Sequence, residues 1–393
     1  MVYIVAHEAL PHGMAATNRM ICYGKALAAG SCRCQLLTTT RTEPSGGPVR
    51  NAEREGAFEG VSFKYIPKRT VRPRRFIMRR LVDAYDWAGS LVYVTRHIGC
   101  GDAVLLYMGN HHVQSAMILL ISKIKGFKVA RELCEYPSST MSDSWLNRLR
   151  RWVDLRWLFP LYDGFVAISQ ALVEVAELHG SKRAKIIKVP ILVDPKNAQG
   201  KEAHIHPRPY IFHGGTMTER KDAIISTMRA FAMACNELGR KIDFIIAGPK
   251  SGTFPELRRI IAENGIGDNV IFIDTLPHDE VIRYQNGASL CVLNKNDNIQ
   301  NRCGFSTKLG EILLSATPVI TTTVGEANNF LEDGVSAYIT EPHKPELIAR
   351  QIVRAFTDEP LRLKIAAAGR QIALDNFAVE AQGPRLARFF REL

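Results

Sequence analysis

The sequence contains no apolar run that approaches the roughly 20 residues of a membrane-spanning helix, which argues against an integral membrane protein. It also has no basic leader followed by a small-residue cleavage site, and its N-terminus, MVYIVAHEAL, is typical of a first strand. Short internal repeats and low-complexity tracts are missing too. With 46% hydrophobic and 23% charged residues, the 393-residue chain is typical of a soluble globular protein with two domains.

The cysteines form no recognisable metal or disulfide pattern. They are scattered, mostly among apolar neighbours, and no CxxC or Cys/His cluster has zinc spacing. No DxD-like pair of carboxylates for a divalent cation is evident either. We therefore expect no metal site, and reduced structural thiols in a cytoplasm. The eight cysteines are Cys22, Cys32, Cys34, Cys100, Cys134, Cys235, Cys291 and Cys303.

The positive charge is confined to the first half of the chain. Residues 1–200 hold 28 Lys and Arg against 16 Asp and Glu, a balance of +12, whereas residues 201–393 hold 23 of each. Two stretches, KYIPKRTVRPRRFIMRRL (64–81) and SWLNRLRRWVDLRWLFPLY (144–162), mix basic with aromatic and aliphatic residues. This mixture favours an anionic membrane surface as partner. The alternative is a solvated loop plus a core helix whose tryptophans point inward; no motif supports nucleic acid.

Short β-rich runs alternate with helical stretches along the first half. Several of the runs are apolar throughout, as expected of strands covered on both faces of a parallel sheet. The alternation predicts an α/β fold with a doubly wound sheet. Strands are predicted at 2–7, 34–40, 61–67, 103–108, 127–133, 165–169 and 185–190, with helices such as 15–29 and 112–124 between them.

A polar segment with three prolines, PKNAQGKEAHIHPRP (195–209), is predicted to be a linker. The alternation then starts again and predicts a second doubly wound domain. Ligands of such sheets bind beyond the carboxyl ends of the strands, so we expect a cleft there. Strands are predicted at 210–215, 242–249, 269–275, 289–294, 318–322 and 334–340, with helices at 221–238, at 254–265 and from 306 or 307.

Two lysines stand at predicted helix starts, where the positive end of the helix dipole disfavours a cation. Lys308 lies in GFSTKLGEILLSATPVITT (304–322), directly after Ser306 and Thr307, and Lys221 lies in HGGTMTERKDAI (213–224). A solvated pair with Glu311 would explain Lys308, and a surface position beside Glu219 and Asp222 would explain Lys221. The alternative is a phosphate site built from helix N-termini, hydroxyls and lysines.

A single glycine, Gly13, precedes the helix predicted from about Ala15 in the first domain. Its backbone can approach a ligand closely, although a plain turn explains it equally well.

These segments resemble the GT-B glycosyltransferases, in particular the retaining family 4, also called group 1. GGTMTERKDAI is similar to the family's Gly-x(5)-Lys segment, and GFSTKLGEILLSATPVITT is similar to its GFPTKLxEYLAxGxPVI signature. DTLPHDEVIRYQNGASLCVL (274–293) resembles the segment that holds the nucleotide base. The resemblance runs nearly end to end, with the less specific landmarks VARELCEYP, DGFVAIS and KVPILVDP in the first half.

The resemblance implies a donor site in which Lys221 and Lys308 bind the diphosphate and act in catalysis, Glu311 holds the ribose, and the backbone near Leu276 holds the base. On the acceptor side it implies a polar role for Glu132 or Glu135; we name Glu135 as the catalytic candidate. A structural carboxylate paired with Arg131 or Lys128 is the alternative. The implied donor-binding set is Gly13, Gly215, Thr216, Lys221, Leu276, Ser306, Thr307, Lys308 and Glu311.

Three positions depart from the family pattern. Cys303 stands where many members have a sugar-binding Glu, Thr216 where an Arg is frequent, and Cys134 where a His is frequent. A subset of members lacks the first Glu yet keeps the TKLxE core, so the departures leave activity possible and leave the sugar and the acceptor chemistry open.

The resulting hypothesis is a retaining, metal-independent hexosyltransferase that needs no cofactor and uses a nucleotide-sugar donor, with UDP favoured over GDP. The acceptor would be a glycan or lipid-linked glycan in surface polysaccharide biosynthesis, at the cytoplasmic, inner face of the plasma membrane. Rival hypotheses are a sugar-nucleotide epimerase and a non-catalytic GT-B subunit that binds a partner enzyme. The expected parts are an acceptor-side Rossmann-like domain (1–195), a donor domain (205–375), and a C-terminal helix (376–393) that packs back on the first.

Overall fold

The computed structural model describes residues 1–109, 111–137, 144–198 and 202–393. The chain divides into two compact units. Unit 1 comprises Met1–Leu192 together with Val379–Leu393, and unit 2 comprises Val193–Ala378. Within the described ranges, no helix is both long and apolar enough to cross a membrane.

Unit 1 is built on a sheet whose order, among the described residues, is β3-β4-β2-β1-β5-β6-β7-β8. All neighbouring strands are parallel except β3 and β4. The central strand β1 is buried along its whole length, which explains its continuous apolar sequence. The strands are β1 Val2–Ala6, β2 Cys34–Thr38, β3 Glu55–Phe58, β4 Val61–Tyr65, β5 Ala103–Tyr107, β6 Lys128–Leu133, β7 Gly164–Ala167 and β8 Lys185–Lys188.

Helices cover both faces of this sheet in the doubly wound manner. They are α1 Ala15–Ala29, α2 Phe76–His97, α3 His112–Lys125, α4 Trp145–Val153 and α5 Gln170–His179. A π-helical segment, Asp154–Leu158, continues directly from α4. The elements of unit 1 that were not predicted individually include β3, which has no alternating pattern, and α2, whose start at Phe76 follows Arg75 rather than a capping residue.

Unit 2 contains a fully parallel sheet with the order β11-β10-β9-β12-β13-β14 among the described residues. Its strands are β9 Tyr210–Gly214, β10 Asp243–Ala247, β11 Val270–Ile273, β12 Leu290–Leu293, β13 Val319–Thr322 and β14 Tyr338–Thr340. Its helices are α6 Glu219–Asp222, α7 Ile224–Glu237, α8 Phe254–Glu263, α9 His278–Gly287, α10 Ile299–Cys303, α11 Thr307–Leu314, α12 Pro345–Thr357 and α13 Glu359–Asn376.

The last helix, α14 Val379–Glu392, belongs to unit 1 rather than to unit 2. Its Leu386, Phe389 and Phe390 are buried in the same apolar core as α1 and β1. The chain therefore crosses from unit 1 to unit 2 at Leu192–Val193, just before the predicted linker, and crosses back after Ala378. Residues 199–201 of that linker lie outside the described ranges.

The helix predicted at 221–238 is wrong in its start. Lys221 lies in the four-residue helix α6, and Ala223 then takes the left-handed conformation with φ 43° and ψ 45°. The long helix α7 begins only at Ile224. Because a non-glycine residue in this conformation interrupts the helical hydrogen bonds, Lys221 does not stand in the first turn of a long helix.

Candidate functional site

Two glycines turn the chain sharply at neighbouring strand ends of unit 2. Gly215 follows β9 and Gly248 follows β10, with φ values of +150° and +148°. The Gly215 N–H donates to the Ala247 carbonyl at 2.8 Å, and the Gly248 N–H donates to the Ile273 carbonyl at 3.0 Å. A Cβ on Gly248 would overlap the Gly215 carbonyl oxygen. Only glycine permits this conformation and this approach, so both strand ends present bare backbone at one edge of the sheet.

The side chain of Lys308 occupies the space above Gly215. A Cβ on Gly215 would overlap the Lys308 Nζ and lie 2.9 Å from its Cε. The glycine and the lysine are 93 positions apart in sequence. They meet because α11 begins beside the end of β9 in the folded sheet. The GG segment and the TKL segment, which resemble two separate family motifs, are therefore one site.

We predict that Gly215→Ala disrupts this site. The methyl group would displace the Lys308 ammonium, and an alanine is strained at this φ, so we expect nucleoside diphosphate binding to fall by about tenfold or more. The matched control is Gly239→Ala, because Gly239 also has positive φ (+64°) but has open space around its Cβ position. Isothermal titration calorimetry with UDP and thermal unfolding of both variants measure the two effects. Equal UDP affinity in the two variants would contradict the assignment.

The N-terminus of α11 is arranged to receive an anion. Ser306 is its N-cap, and the Ser306 side chain accepts no hydrogen bond from the helix, which leaves its hydroxyl available. Ser306, Thr307 and Lys308 are all half-buried. The first turn of a helix has unpaired N–H groups, and its dipole favours negative charge. The first turn of α11 carries no acidic residue that would supply this charge.

Asp222 is the buried carboxylate that faces this lysine. It is 2% exposed, and its Oδ2 lies 3.8 Å from the Lys308 Nζ. Its Oδ1 lies 2.6 Å from the Nζ of Lys295, a residue that follows β12. Although burial raises the pKa of Asp222, Lys295 and Lys308 outweigh it and hold this pKa well below its usual range. Asp222 thus pairs with Lys295 and Lys308. Lys295 was missed because no motif contains it.

His213 lies beneath the same cation. It is 3% exposed, and its Nδ1 lies 3.3 Å from the Val292 carbonyl, which can only accept. Nδ1 therefore carries the proton, and the buried Nε2, which has no hydrogen-bond partner in the described part of the chain, presents a lone pair. Burial, with help from Lys308, lowers the pKa of His213 to about 4. The imidazole is neutral at pH 7 and adds no further positive charge below Lys308.

Lys221 is exposed on α6, near enough to affect the charge of Lys308. Several hydrogen bonds to its backbone and side chains hold α6 in place. The Lys295 Nζ donates to the Lys221 carbonyl at 3.2 Å, Asn296 donates to the Glu219 carbonyl at 2.6 Å, and the Glu219 carboxylate accepts from the Ile225 N–H at 2.8 Å. Lys221 is thus an exposed cation on a backbone that other residues hold, and its charge acts on Lys308.

Glu311 lies one turn after Lys308 on α11 and is half-buried. Within the described part of the chain its carboxylate accepts no hydrogen bond. Burial raises its pKa, against the opposing effects of His278 and Lys308. Leu276, in the loop between β11 and α9, is half-buried, and neither its N–H nor its carbonyl bonds to another described residue. Both groups therefore have unused hydrogen-bonding capacity, as ribose and base contacts require.

In unit 1, the acidic candidates after β6 have different surroundings. Glu132 is buried and pairs with Arg19, whose Nε lies 2.9 Å from its Oε1, and with the Tyr23 hydroxyl. The expected partners were wrong, since Arg131 instead binds Asp154 and Lys128 lies near Asp163. Glu132 is thus engaged in a buried ion pair with Arg19. Glu135 is half-buried and enters none of these pairs.

Gly13 precedes α1, and the space at its Cβ position is filled by the Thr17 side chain, whose hydroxyl donates to the Ala9 carbonyl at 2.8 Å. This close packing within the turn is one reason for a glycine at this position. The two cysteines at family positions are also placed: Cys303 is buried at the end of α10, and Cys134 is half-buried, where burial raises the pKa of its thiol well above the usual range. Across the described residues, no group of His, Cys, Asp and Glu side chains is arranged to hold a metal ion.

Residues 196–372, nearly all of unit 2, match the family model of the glycosyl transferases group 1. This match covers less than half of the chain. The chain's similarity to the 2-deoxystreptamine glucosyltransferase of Streptomyces kanamyceticus is 25% identity over 254 residues, 61% of this chain and 63% of that protein. Its similarity to the D-inositol 3-phosphate glycosyltransferase 1 of Catenulispora acidiphila is 28% over 149 residues, 36% and 34% of the two chains. The chain thus spans less than two thirds of these relatives.

Solved structures extend the likeness to both units. HepE of Anabaena, in complex with UDP and glucose, superposes with a TM-score of 0.71 at 17% identity over the whole of both chains. Sucrose-phosphate synthase from Thermosynechococcus elongatus gives 0.72 at 16% identity, over all of this chain and 98% of that one. At such identities the likeness concerns the fold. The predicted GT-B architecture of two Rossmann-like domains is confirmed.

Proposed function

We propose that this protein is a retaining glycosyltransferase of family 4 that transfers a sugar from a UDP-sugar to a glycan or lipid-linked glycan. The observation that carries the proposal is the meeting of Gly215, Lys308 and the α11 N-terminus at one edge of the unit 2 sheet. This edge offers a cation, unpaired N–H groups and bare backbone to a diphosphate. Unit 2 would then be the donor domain, and unit 1 would handle the acceptor.

The chemistry follows from where charge develops. When the glycosidic bond to the donor breaks, negative charge accumulates on the departing diphosphate. Preformed groups aimed at those oxygens stabilise the transition state more than the ground state. Lys308 and the hydroxyls of Ser306 and Thr307 fill this role, with Lys221 as a second cation. Attack by the acceptor on the face that the diphosphate leaves would retain the anomeric configuration.

UDP is the favoured nucleotide. Three structures of HepE, a protein of the same fold, contain UDP, UDP with glucose, and UDP-glucose. In this chain the Leu276 backbone offers one donor and one acceptor to a base. Glu311 would accept the two ribose hydroxyls and so orient the donor. Gly13 and Thr216 remain proposed members of the site, and Glu135 remains the proposed polar group on the acceptor side.

Glu311→Ala is predicted to separate binding from stability. Loss of two hydrogen bonds to a charged group should weaken UDP binding by about tenfold or more. Because burial raises the pKa of Glu311, its charged form destabilises the folded state. This destabilisation is present above the unfolded pKa and disappears when the carboxylate is removed. We therefore expect an unchanged or higher unfolding temperature. Calorimetry with UDP and a thermal melt test this; a lower melting temperature with normal affinity would contradict it.

Metal independence is a further prediction. The cation that balances the departing diphosphate would be Lys308 rather than a divalent ion, so EDTA should leave most of the transfer or donor hydrolysis activity intact. The measurement is the initial rate with EDTA and after addition of Mg²⁺ or Mn²⁺. A complete loss that either metal restores would contradict the proposal.

The partner of unit 1 is proposed to be an anionic membrane surface. At the start of α2 the apolar side chains of Phe76, Ile77 and Met78 are 62%, 75% and 50% exposed. The arginines around them are exposed as well: Arg72, Arg74, Arg75, Arg79 and Arg80. Exposed apolar residues among cations suit the interface of an anionic bilayer. A lipid-linked acceptor would explain why the net charge of +12 lies on residues 1–200 while residues 201–393 are neutral.

A second helix of unit 1 supports this partner. None of the residues of α4 is buried, and Trp145, Trp152 and Trp157 are 70%, 54% and 58% exposed. The alternative in which these tryptophans point into the core is wrong. On α4 the apolar residues share one side at helical spacing, with the arginines on the other, as in helices that lie in a membrane interface.

Two rival functions predict different products. An epimerase on the same scaffold would convert one nucleotide sugar into another, and a non-catalytic subunit would convert none. Cys303 and Cys134 favour the second rival slightly, whereas Lys221, Lys308 and Glu311 argue against it. Incubation with a panel of nucleotide sugars separates the three, because a glycosyltransferase without acceptor releases nucleoside diphosphate slowly.

A further inference from the structure

One carboxylate in unit 2 contacts two lysines of different segments. The Oδ1 atom of Asp222 lies 2.6 Å from Lys295 Nζ, and its Oδ2 lies 3.8 Å from Lys308 Nζ. The Thr216 hydroxyl donates to the same Oδ2 at 3.4 Å. Asp222 is 2% exposed, so these contacts take up its oxygens and it presents no face to a substrate. Its role must therefore act through the lysines.

Lys295 is held as firmly as the carboxylate. Its Nζ donates to the Lys221 carbonyl at 3.2 Å, besides its bond to Asp222. Its backbone N–H donates to the Thr322 hydroxyl at 3.2 Å, and its carbonyl accepts from that hydroxyl at 3.0 Å. Only 13% of the side chain is exposed. Lys295 is thus a fixed counterion that points inward.

We infer that Asp222 and Lys295 form a positioning pair, which holds the Lys308 ammonium above Gly215 and sets the balance between its charged and neutral forms. This inference rests on the proposed donor site, where Lys308 can balance the charge of a diphosphate only in its protonated form. Neither residue of the pair touches the donor.

The groups around Lys308 oppose one another. Lys295, after β12, and Lys221, on α6, disfavour a further positive charge, whereas Asp222 and Glu311 favour it. His213 of β9 is neutral. Burial is the largest influence, and together they lower the pKa of Lys308 to about 8. At pH 7 the amine is mostly charged, but the margin is small.

Removal of Asp222 and removal of Lys295 should therefore shift the pKa of Lys308 in opposite directions. Without the charge of Asp222, burial and two lysines act on Lys308 unopposed except by Glu311, so the neutral amine gains. Without the charge of Lys295, one repulsion disappears and Asp222 is left to Lys308 alone, so the ammonium gains. A merely structural pair would instead give losses of the same kind in both variants.

The direct test is a pH titration of lysine ¹³Cε and ¹⁵Nζ signals by NMR in the full chain, with Lys308 assigned from Lys308→Arg. We expect a wild-type midpoint near pH 8, a midpoint lower by about 1 or more in Asp222→Asn, and a higher one in Lys295→Met. Asp243→Asn is the matched control, because Asp243 is equally buried but pairs with His206 and Arg208. Its midpoint should equal that of the wild type.

UDP affinity as a function of pH, measured by calorimetry on the same proteins, is the second readout. We expect affinity to fall above the Lys308 midpoint and the fall to move with it. At pH 8, Asp222→Asn should therefore bind UDP more weakly than the wild type, by about fivefold or more, because a smaller fraction of its Lys308 is charged, and its affinity should recover towards pH 6.5. The ionisations of UDP itself are common to all variants and cancel in the comparison.

The outcomes separate this inference from the proposed function. Midpoints that move in opposite directions without any UDP binding would support the pair and overturn the donor site. If the Lys308 midpoints of Asp222→Asn and Lys295→Met equal that of the wild type, or shift in the same direction, the inferred role of the pair is overturned, whether or not UDP binds. If Asp222→Asn does not fold, Lys295→Met and Asp222→Glu test the inference instead. The Lys308 midpoint must be higher than in the wild type in Lys295→Met and close to the wild-type value in Asp222→Glu.

Discussion

Lys308→Ala is expected to lower turnover by on the order of 100-fold or more, as the loss of a group that stabilises developing negative charge does. The Lys308 ammonium lies above Gly215 at the α11 N-terminus, where the departing diphosphate would place its charge. Lys221→Ala should lower turnover similarly, because Lys221 would supply the second cation. The measurement is the steady-state rate of nucleoside diphosphate release.

The control for both variants is Lys344→Ala, because Lys344 is an exposed lysine of unit 2 that pairs only with the neighbouring Glu341 in the described structure. It should retain wild-type kinetics. Melting temperatures must be compared as well, so that a loss of turnover is not a loss of fold. Normal kinetics in both Lys308→Ala and Lys221→Ala would refute the assignment of the donor site.

Replacement of five arginines at the start of α2 by Ser or Gln should release the protein from anionic membranes. Each basic residue near such a surface contributes about 1 kcal/mol, so loss of all five should weaken binding by more than about 100-fold. The wild type should sediment with phosphatidylglycerol vesicles, and this should decline steeply with salt because the attraction is screened within a Debye length. The residues are Arg72, Arg74, Arg75, Arg79 and Arg80.

A matched control removes the same charge from unit 2, at five exposed arginines: Arg229, Arg258, Arg259, Arg350 and Arg370. This variant should still sediment with the vesicles, and UDP binding should be unchanged in the α2 variant. Trp145→Ser with Trp152→Ser on α4 should weaken binding without changing its salt dependence, since the loss is apolar. If the wild type ignores the vesicles at low salt, the basic surface is only solvated and a soluble acceptor becomes the better proposal.

The sequence predicted those features that depend on local pattern. The runs of apolar residues placed β1, β9 and β10 to within a few residues, because a buried parallel strand needs no alternation. The start of α11 was predicted as well. The break at Ala223 was not, because nothing in ERKDAI marks a left-handed alanine.

The chemistry of the proposed donor site was predicted only in part, for a physical reason. Lys308 was singled out by its conflict with the helix dipole, a local signal. Asp222, Lys295 and His213 carry no such signal, because their importance comes from burial and from contacts between residues 73 to 86 positions apart. Their role becomes visible only in the folded unit 2, where the ends of β9 and β12 lie beside the start of α11.

The most direct test of the proposed function is donor hydrolysis without acceptor, measured as nucleoside diphosphate release from a panel of UDP- and GDP-sugars. We predict slow release from at least one UDP-sugar by the wild type and by Gly239→Ala, and release lower by about 100-fold in Lys308→Ala. Release that is equal in the wild type and Lys308→Ala would contradict the proposed site. Conversion of one nucleotide sugar into another, or no binding and no release with any donor, would contradict the proposed function.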